Sequence, residues 1–169
     1  AHQRDVVLFA LATGLRQSNV IGLEWSHANL DTGHAWVDAA HSKNRKPIAV
    51  PLNATALAVL RRQLGKHPER VFTFRGRPLA WGNTLAWRKA LKRVGIENFR
   101  WHDLRHTWAT WHRQSGTPTH ELQQLGGWRS SVMVERYAHL APDHLAKAAG
   151  RLDSLFGGYD LATPEKTKG

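Results

Sequence analysis

Residues 101–116 read Trp-His-Asp-Leu-Arg-His-Thr-Trp-Ala-Thr-Trp-His-Arg-Gln-Ser-Gly. The pattern predicts a helix over 101–114 that Gly116 stops. On that helix His102 and Arg105 stand at i and i+3, and His102 and His106 at i and i+4, so two imidazoles and a guanidinium share one face. A His pair at i and i+4 is a metal-ligand spacing, but the Glu of an H-E-x-x-H zinc site is absent. An imidazole beside a guanidinium suits an anion better, with His as the proton carrier near neutral pH. His106 is assigned to packing or to supporting hydrogen bonds, and no metal is assigned.

Helical patterns flank this stretch on both sides. Toward the C-terminus, Thr117-Pro118 restarts a helix to Leu125, with Thr as cap and Pro at the first helical position. Ser130 or Ser131 caps another that runs through Tyr137 to Leu140, and residues 142–155 offer a last one. Toward the N-terminus, residues 83–94 form a basic helix ending at Gly95. Residues 71–74 form a short strand, and Asn53 opens a helix with Leu57, Leu60 and Leu64 inward. Before these, Ala35-Trp36-Val37 and Ile48-Ala49-Val50-Pro51 bracket a polar basic tip at 42–46, the pattern of a small antiparallel sheet. The chain opens with an apolar helix over 4–13 stopped by Gly14, then a short helix capped by Ser18 or Asn19. The fold class expected is therefore mainly α with a small antiparallel β-sheet near the N-terminus.

Composition limits the function. The 169 residues carry 24 Lys+Arg against 13 Asp+Glu, a formal charge of +11, and no cysteine. That excludes a disulfide scaffold, a thiol nucleophile and Cys-ligated metal. No run of about 18 apolar residues spans a bilayer, and the chain reads as soluble and intracellular. It starts at Ala1 with a helical pattern at once, as a fragment of something longer would. Between Lys43 and Arg113 lie sixteen basic residues and only three acids, Glu69, Glu97 and Asp103. A broad basic face of this kind meets a polyanion by counterion release, although a face kept basic for solubility would look the same. Its candidate polyanion-binding residues are Arg45, Lys46, Arg75, Arg77, Arg88, Lys89, Lys92 and Arg93. Membrane binding would call for an amphipathic helix with a clean apolar face, which the basic helices lack.

Three further patterns carry chemistry. Arg16, in Thr13-Gly14-Leu15-Arg16, sits where a buried helix ends and the next begins; it can offer its fork to a phosphate, or simply cap or salt-bridge. Lys43, at the tip of the predicted hairpin, can reach a phosphate or a leaving oxygen, or face water. Gly126-Gly127-Trp128 precedes Tyr137 by nine residues, counted from the Trp. The other tyrosine, Tyr159, follows Gly157-Gly158 in a tail, so a tyrosine that acts is Tyr137. A phenol with a pKa near 10 then needs cations or a base beside it; otherwise Tyr137 packs in the core.

Taken in order, Arg16, Lys43, His102-x-x-Arg105, Gly127-Trp128 and Tyr137 resemble the catalytic domain of the tyrosine recombinases, the phage integrases in particular, over about residues 5–140. Two positions depart from the common pattern. Trp128 stands where a second histidine is usual, and Asn19 where an acid is frequent. The resemblance implies a catalytic domain over 1–156, a flexible tail over 157–169, and an N-terminal DNA-clamping domain outside this fragment. It implies a phage or prophage integrase, a site-specific recombinase that breaks and rejoins double-stranded DNA through a 3′-phosphotyrosine on Tyr137, with no cofactor. Arg16 and Arg105 would clamp the phosphate, Lys43 would protonate the leaving oxygen, His102 would take the tyrosine proton or orient the phosphate, and Trp128 would donate one hydrogen bond. It further implies a tetramer on synapsed DNA, a monomer as the free fragment, accessory DNA-bending proteins and a place at the nucleoid in a bacterial cytoplasm. A type IB topoisomerase shares this chemistry. A noncatalytic DNA-binding module explains the charge alone, and a metal-dependent nuclease would draw on the eleven histidines.

Overall fold

The computed structural model describes residues 2–37 and 48–140. Lys43, Arg45 and Lys46, the predicted hairpin tip, the helix expected over 142–155 and the tail over 157–169 lie outside these residues. Helix α1 (His2–Thr13) buries Val6, Phe9, Ala10 and Thr13, an i, i+3, i+4, i+7 stripe. Helix α2 (Gln17–Ile21) follows after Gly14. It begins at Arg16, earlier than a Ser18 or Asn19 cap would place it, and Arg16 itself occupies the cap position with extended backbone.

Strands β1 (Ala28–Asn29), β2 (His34–Val37) and β3 (Ile48–Pro51) form one antiparallel sheet in that order, with Ala35 opposite Val50. Ala35, Val37 and Val50 turn inward while Trp36 stays outside, the period-two alternation of a sheet with one buried face. Helix α3 (Ala54–Gln63) starts at Asn53, whose side chain accepts from the Ala56 amide as expected. Leu64 is exposed, not inward, because the chain leaves helical geometry at that residue. Asp5 of α1 accepts hydrogen bonds from Arg62 and Gln63 of α3, which joins the two helices. Strand β4 (Thr73–Phe74) pairs with β5 (Arg77–Pro78), a partner the sequence reading did not foresee. Helix α4 (Leu85–Arg93) is capped by Thr84, one residue after the expected start.

Helix α5 (Asp103–Gln114) joins the two halves of the core. Leu104 packs into the large cluster with Phe9, Leu60 and Phe72, and Trp108 and Ala109 pack into a smaller one with Leu122, Val134 and Tyr137. Its start is fixed by Asp103, whose carboxylate reaches back to the Arg100 amide at 2.7 Å. Trp101 therefore precedes the helix. Helix α6 (Thr119–Gly126) has Pro118 at the cap position, one residue later than expected, and closes on Gly127 at φ +60°.

The last segment differs most from expectation. Helix α7 (Val132–Glu135) is short, and a 3₁₀ turn follows at Ala138–Leu140 with Tyr137 between them. The Tyr137 amide donates to the Val134 carbonyl and the Leu140 amide to the Tyr137 carbonyl, both i→i−3 bonds. Side chains three apart eclipse in that tighter winding. Val134, Tyr137 and Leu140 thus line up against Trp108 and Leu122, which a 3.6-residue helix would splay apart.

Candidate active site

Arg105 organises the site. It points from α5 into the seam between the two core clusters and is only 6% exposed. Its Nη1 donates to the Gly14 carbonyl at 2.6 Å, and its Nη2 donates to the Gly126 carbonyl. Each carbonyl lies at a helix end where it is free to accept. The guanidinium lies 4.3 Å from the Trp128 ring centroid, a cation–π contact in a dry setting, and Trp128 in turn leans on Trp108. Burial, together with the Arg16 charge, lowers its pKa to about 10, so it stays charged at neutral pH.

Glycine is required twice to build this arrangement. At Gly14 the backbone takes φ +65°, and a Cβ would fall within 3.0 Å of three ring carbons of Trp108. At Gly126 a Cβ would meet the Trp128 ring equally closely. Both Arg105 acceptors thus sit on residues whose neighbouring indoles leave no room for a side chain.

Around Arg105 opens a cleft of about 310 Å³ lined by Arg16, His102, His106, Trp128, Arg129, Met133, Arg136 and Tyr137. Of its lining side chains among the described residues, four are arginines, two are histidines, and none is a carboxylate. Among the described residues no hydrogen bond or ion pair occupies the Arg16 guanidinium. Such a concentration of fixed positive charge favours a compact anion. No three His, Asp or Glu side chains converge as metal ligands among the described residues, and no helix there is long and apolar enough to cross a membrane.

The Tyr137 hydroxyl is hydrogen-bonded to Nδ1 of His106, whose ring stands edge-on to that of His102 with centroids 4.9 Å apart. His106, assigned to packing or to supporting hydrogen bonds, touches the phenol directly. Burial pushes the Tyr137 pKa above its ordinary value despite the nearby Arg136 and Arg105 charges. It lowers that of His106, where the Arg136 charge adds to it and Asp103 opposes it. Burial also lowers that of His102, with the His106 and Arg105 charges acting in the same sense.

The structure thus brings together Arg16, His102, Arg105, Trp128 and Tyr137. It adds Arg129 and Arg136, which sequence reasoning passed over; their only signal was adjacency to Trp128 and Tyr137. Arg75, Arg77, Arg88, Lys89, Lys92 and Arg93 are all exposed, and the four on α4 share the face opposite buried Trp87.

Fold and cleft define a helical domain that presents a tyrosine hydroxyl to an arginine-rich cationic pocket. The chain belongs to the phage integrase family, whose model matches residues 1–144. It is 47% identical over 167 residues to the integrase of Salmonella phage P22, covering 91% of this chain and 43% of that protein. It is 33% identical over 132 residues to a shufflon-specific DNA recombinase of Escherichia coli, covering 78% and 33%. Among solved structures it resembles the catalytic domain of bacteriophage HP1 integrase, with TM-score 0.67 and 26% identity over 88% of this chain and 81% of that one. The chain spans less than half the length of the first two relatives.

Proposed function

We propose that this chain is the catalytic domain, over residues 1–156, of a site-specific DNA recombinase that integrates a phage or prophage genome. The observation that carries the reading is Tyr137 with its hydroxyl at a cleft furnished by Arg16, Arg105, Arg129 and Arg136 and, among the described residues, by no acid. The relatives named integrase and DNA recombinase support DNA as the substrate class, which this reading takes to be double-stranded.

In this reaction the Tyr137 oxygen attacks a backbone phosphorus, the bond to the 5′-oxygen breaks, and a 3′-phosphotyrosine forms. The phosphorane-like transition state gains negative charge on its non-bridging oxygens, where Arg16 and Arg105 act as fixed donors. Removing one such donor costs about 10²–10³ in rate. Arg105 is preorganised for this, since two backbone carbonyls and an indole face hold it before substrate arrives. His102 binds the phosphate at the cleft mouth. Trp128 positions Arg105 and donates its indole N–H to the phosphate. Lys43 protonates the departing 5′-oxygen, and proton donation to so poor a leaving group contributes about 10²–10⁴. Rejoining reverses these steps on a new 5′-hydroxyl, so no cofactor is consumed. The basic residues Arg45, Lys46, Arg75, Arg77, Arg88, Lys89, Lys92 and Arg93 bind the flanking backbone. Four copies act on synapsed DNA with DNA-bending partners, in the bacterial cytoplasm, while the free domain is a monomer.

A nicked duplex that sheds its 5′ end on cleavage traps the covalent complex. Wild type should accumulate it, and Tyr137→Phe should give none. Equal trapping by the two would leave a noncatalytic DNA-binding module as the better account. A substrate with a 5′-bridging sulfur, which departs without a proton, should restore Lys43→Ala; failure to restore it, with DNA binding intact, would move the acid elsewhere.

A further inference from the structure

The phenol of Tyr137 needs a proton acceptor before it can attack, and two histidines line the cleft. The geometry points to His106, not His102, as the catalytic residue that takes the Tyr137 proton, an assignment that rests on the strand-transfer reading above.

Contact is the first reason. The Tyr137 hydroxyl and His106 Nδ1 are hydrogen-bonded, whereas no hydrogen bond links the hydroxyl to His102 among the described residues. His102 is exposed at the cleft mouth, and its ring meets the His106 ring edge-on at 4.9 Å, one group further from the phenol. Protonation state is the second. Nδ1 can accept only if the ring is neutral with its hydrogen on Nε2. The groups around the ring are Asp103 and Arg105 on α5, Arg100 and His102 just before it, and Arg136 from the last segment. Asp103 is the one acid among them, and its carboxylate is engaged by Arg100 at 3.1 Å. Burial and the surrounding cations favour the neutral form of His106, against the opposing charge of Asp103.

Position is the third reason. The 3₁₀ winding that sets Tyr137 against Trp108 also brings its hydroxyl to the α5 face one turn beyond His102. Tyr137 is thus paired with the base before DNA binds. In the forward step the proton moves from the phenol oxygen to Nδ1 as that oxygen bonds to phosphorus. The electron pair of the broken bond stays on the 5′-oxygen, which receives its proton from the separate acid. In rejoining, the incoming 5′-hydroxyl gives its proton back to that separate group as its oxygen bonds to phosphorus, the phosphorus–tyrosine bond breaks, and the His106 imidazolium returns its proton to the departing tyrosine oxygen.

The test uses the full 169-residue chain on the nicked duplex. His106→Gln should slow covalent trapping by about 10²–10⁴ with DNA affinity unchanged. Replacing Tyr137 by a fluorinated tyrosine, whose phenol ionises near neutrality, should recover most of that loss, because an ionised nucleophile needs no base. His102→Gln should lose phosphate binding and gain little from the fluorinated residue. The assignment is overturned if His106→Gln traps at nearly the wild-type rate, if fluorination fails to rescue a folded His106→Gln protein, or if it rescues His102→Gln instead. A DNA-free readout separates this from the strand-transfer reading. The imidazole nitrogen spectrum should show His106 protonated on Nε2, with an Nδ1 shift that moves in Tyr137→Phe. A spectrum indifferent to that substitution refutes the pairing even if the chain cleaves no DNA.

Discussion

Gly14→Ala tests how the site is held together. The new methyl group would enter the space of the Trp108 ring, within 3.0 Å of three of its carbons, at a backbone φ of +65°. The left-handed backbone costs a non-glycine residue about 1–2 kcal/mol. Forcing the indole aside adds about 1–3 kcal/mol as in other overpacked cores. Together these come to about 2–5 kcal/mol, a large part of the ~5–15 kcal/mol that holds a typical domain folded. With a urea slope of about 2 kcal/mol per molar, the unfolding midpoint should fall by roughly 1–2.5 M. Gly65→Ala is the matched control, since it has φ +76° but nothing within 4 Å of the new carbon. It should show only the backbone part, about 1–2 kcal/mol. The Gly14 carbonyl also anchors Arg105 at 2.6 Å, so any Gly14→Ala protein that remains folded should trap DNA poorly. Equal midpoints for the two variants, or normal trapping by Gly14→Ala, would refute the view that Trp108 and Arg105 are locked through this one residue.

Other outcomes follow from the same geometry. Arg105→Ala should cost several kcal/mol, because the Gly14 and Gly126 carbonyls each lose a buried donor at about 1–3 kcal/mol; Arg105→Lys should restore part of the stability but not the trapping rate, as an ammonium cannot span both carbonyls and a phosphate. His102, His106 and His112 all have pKa values lowered by burial from 6.5, so the unfolded chain binds protons more readily than the folded one. Their contribution to stability is therefore complete above pH 6.5 and lost as pH falls through the lowered values, which acid titration of the urea midpoint will read. Replacing any of Arg88, Lys89, Lys92 or Arg93 by Ala should lower the slope of log K against log salt by about 0.9 for each phosphate contact removed.

Local features were readable from the chain because local chemistry sets them. Asn53 capped its helix, Gly14 and Gly116 ended theirs, and His102 and Arg105 fell on one helical face. The boundaries that moved did so through side chains reaching back along the chain, as Asp103 does to the Arg100 amide. What stayed hidden was long-range or tertiary. Periodicity continues a helix through Tyr137, but Val134 and Tyr137 share one pocket and the backbone tightens to fit them. The β5 strand follows a turn in which Arg75 takes a left-handed backbone at φ +52°, where glycine or asparagine would have announced it. Arg105 is fixed by carbonyls 91 and 21 residues away, and His106 meets Tyr137 across 31 residues. No spacing rule registers such pairings. Motif order found the site, but not which histidine touches the nucleophile.

The central claim is that Tyr137 bonds to DNA in the arginine-lined cleft. The direct measurement is peptide mapping by mass spectrometry of the adduct formed on a nicked duplex in the presence of EDTA. The account predicts a nucleotide remnant on the peptide carrying Tyr137 and on no other, formed at the same rate with or without the chelator. A remnant on Tyr159 or on any serine, or an adduct that EDTA abolishes, would contradict it.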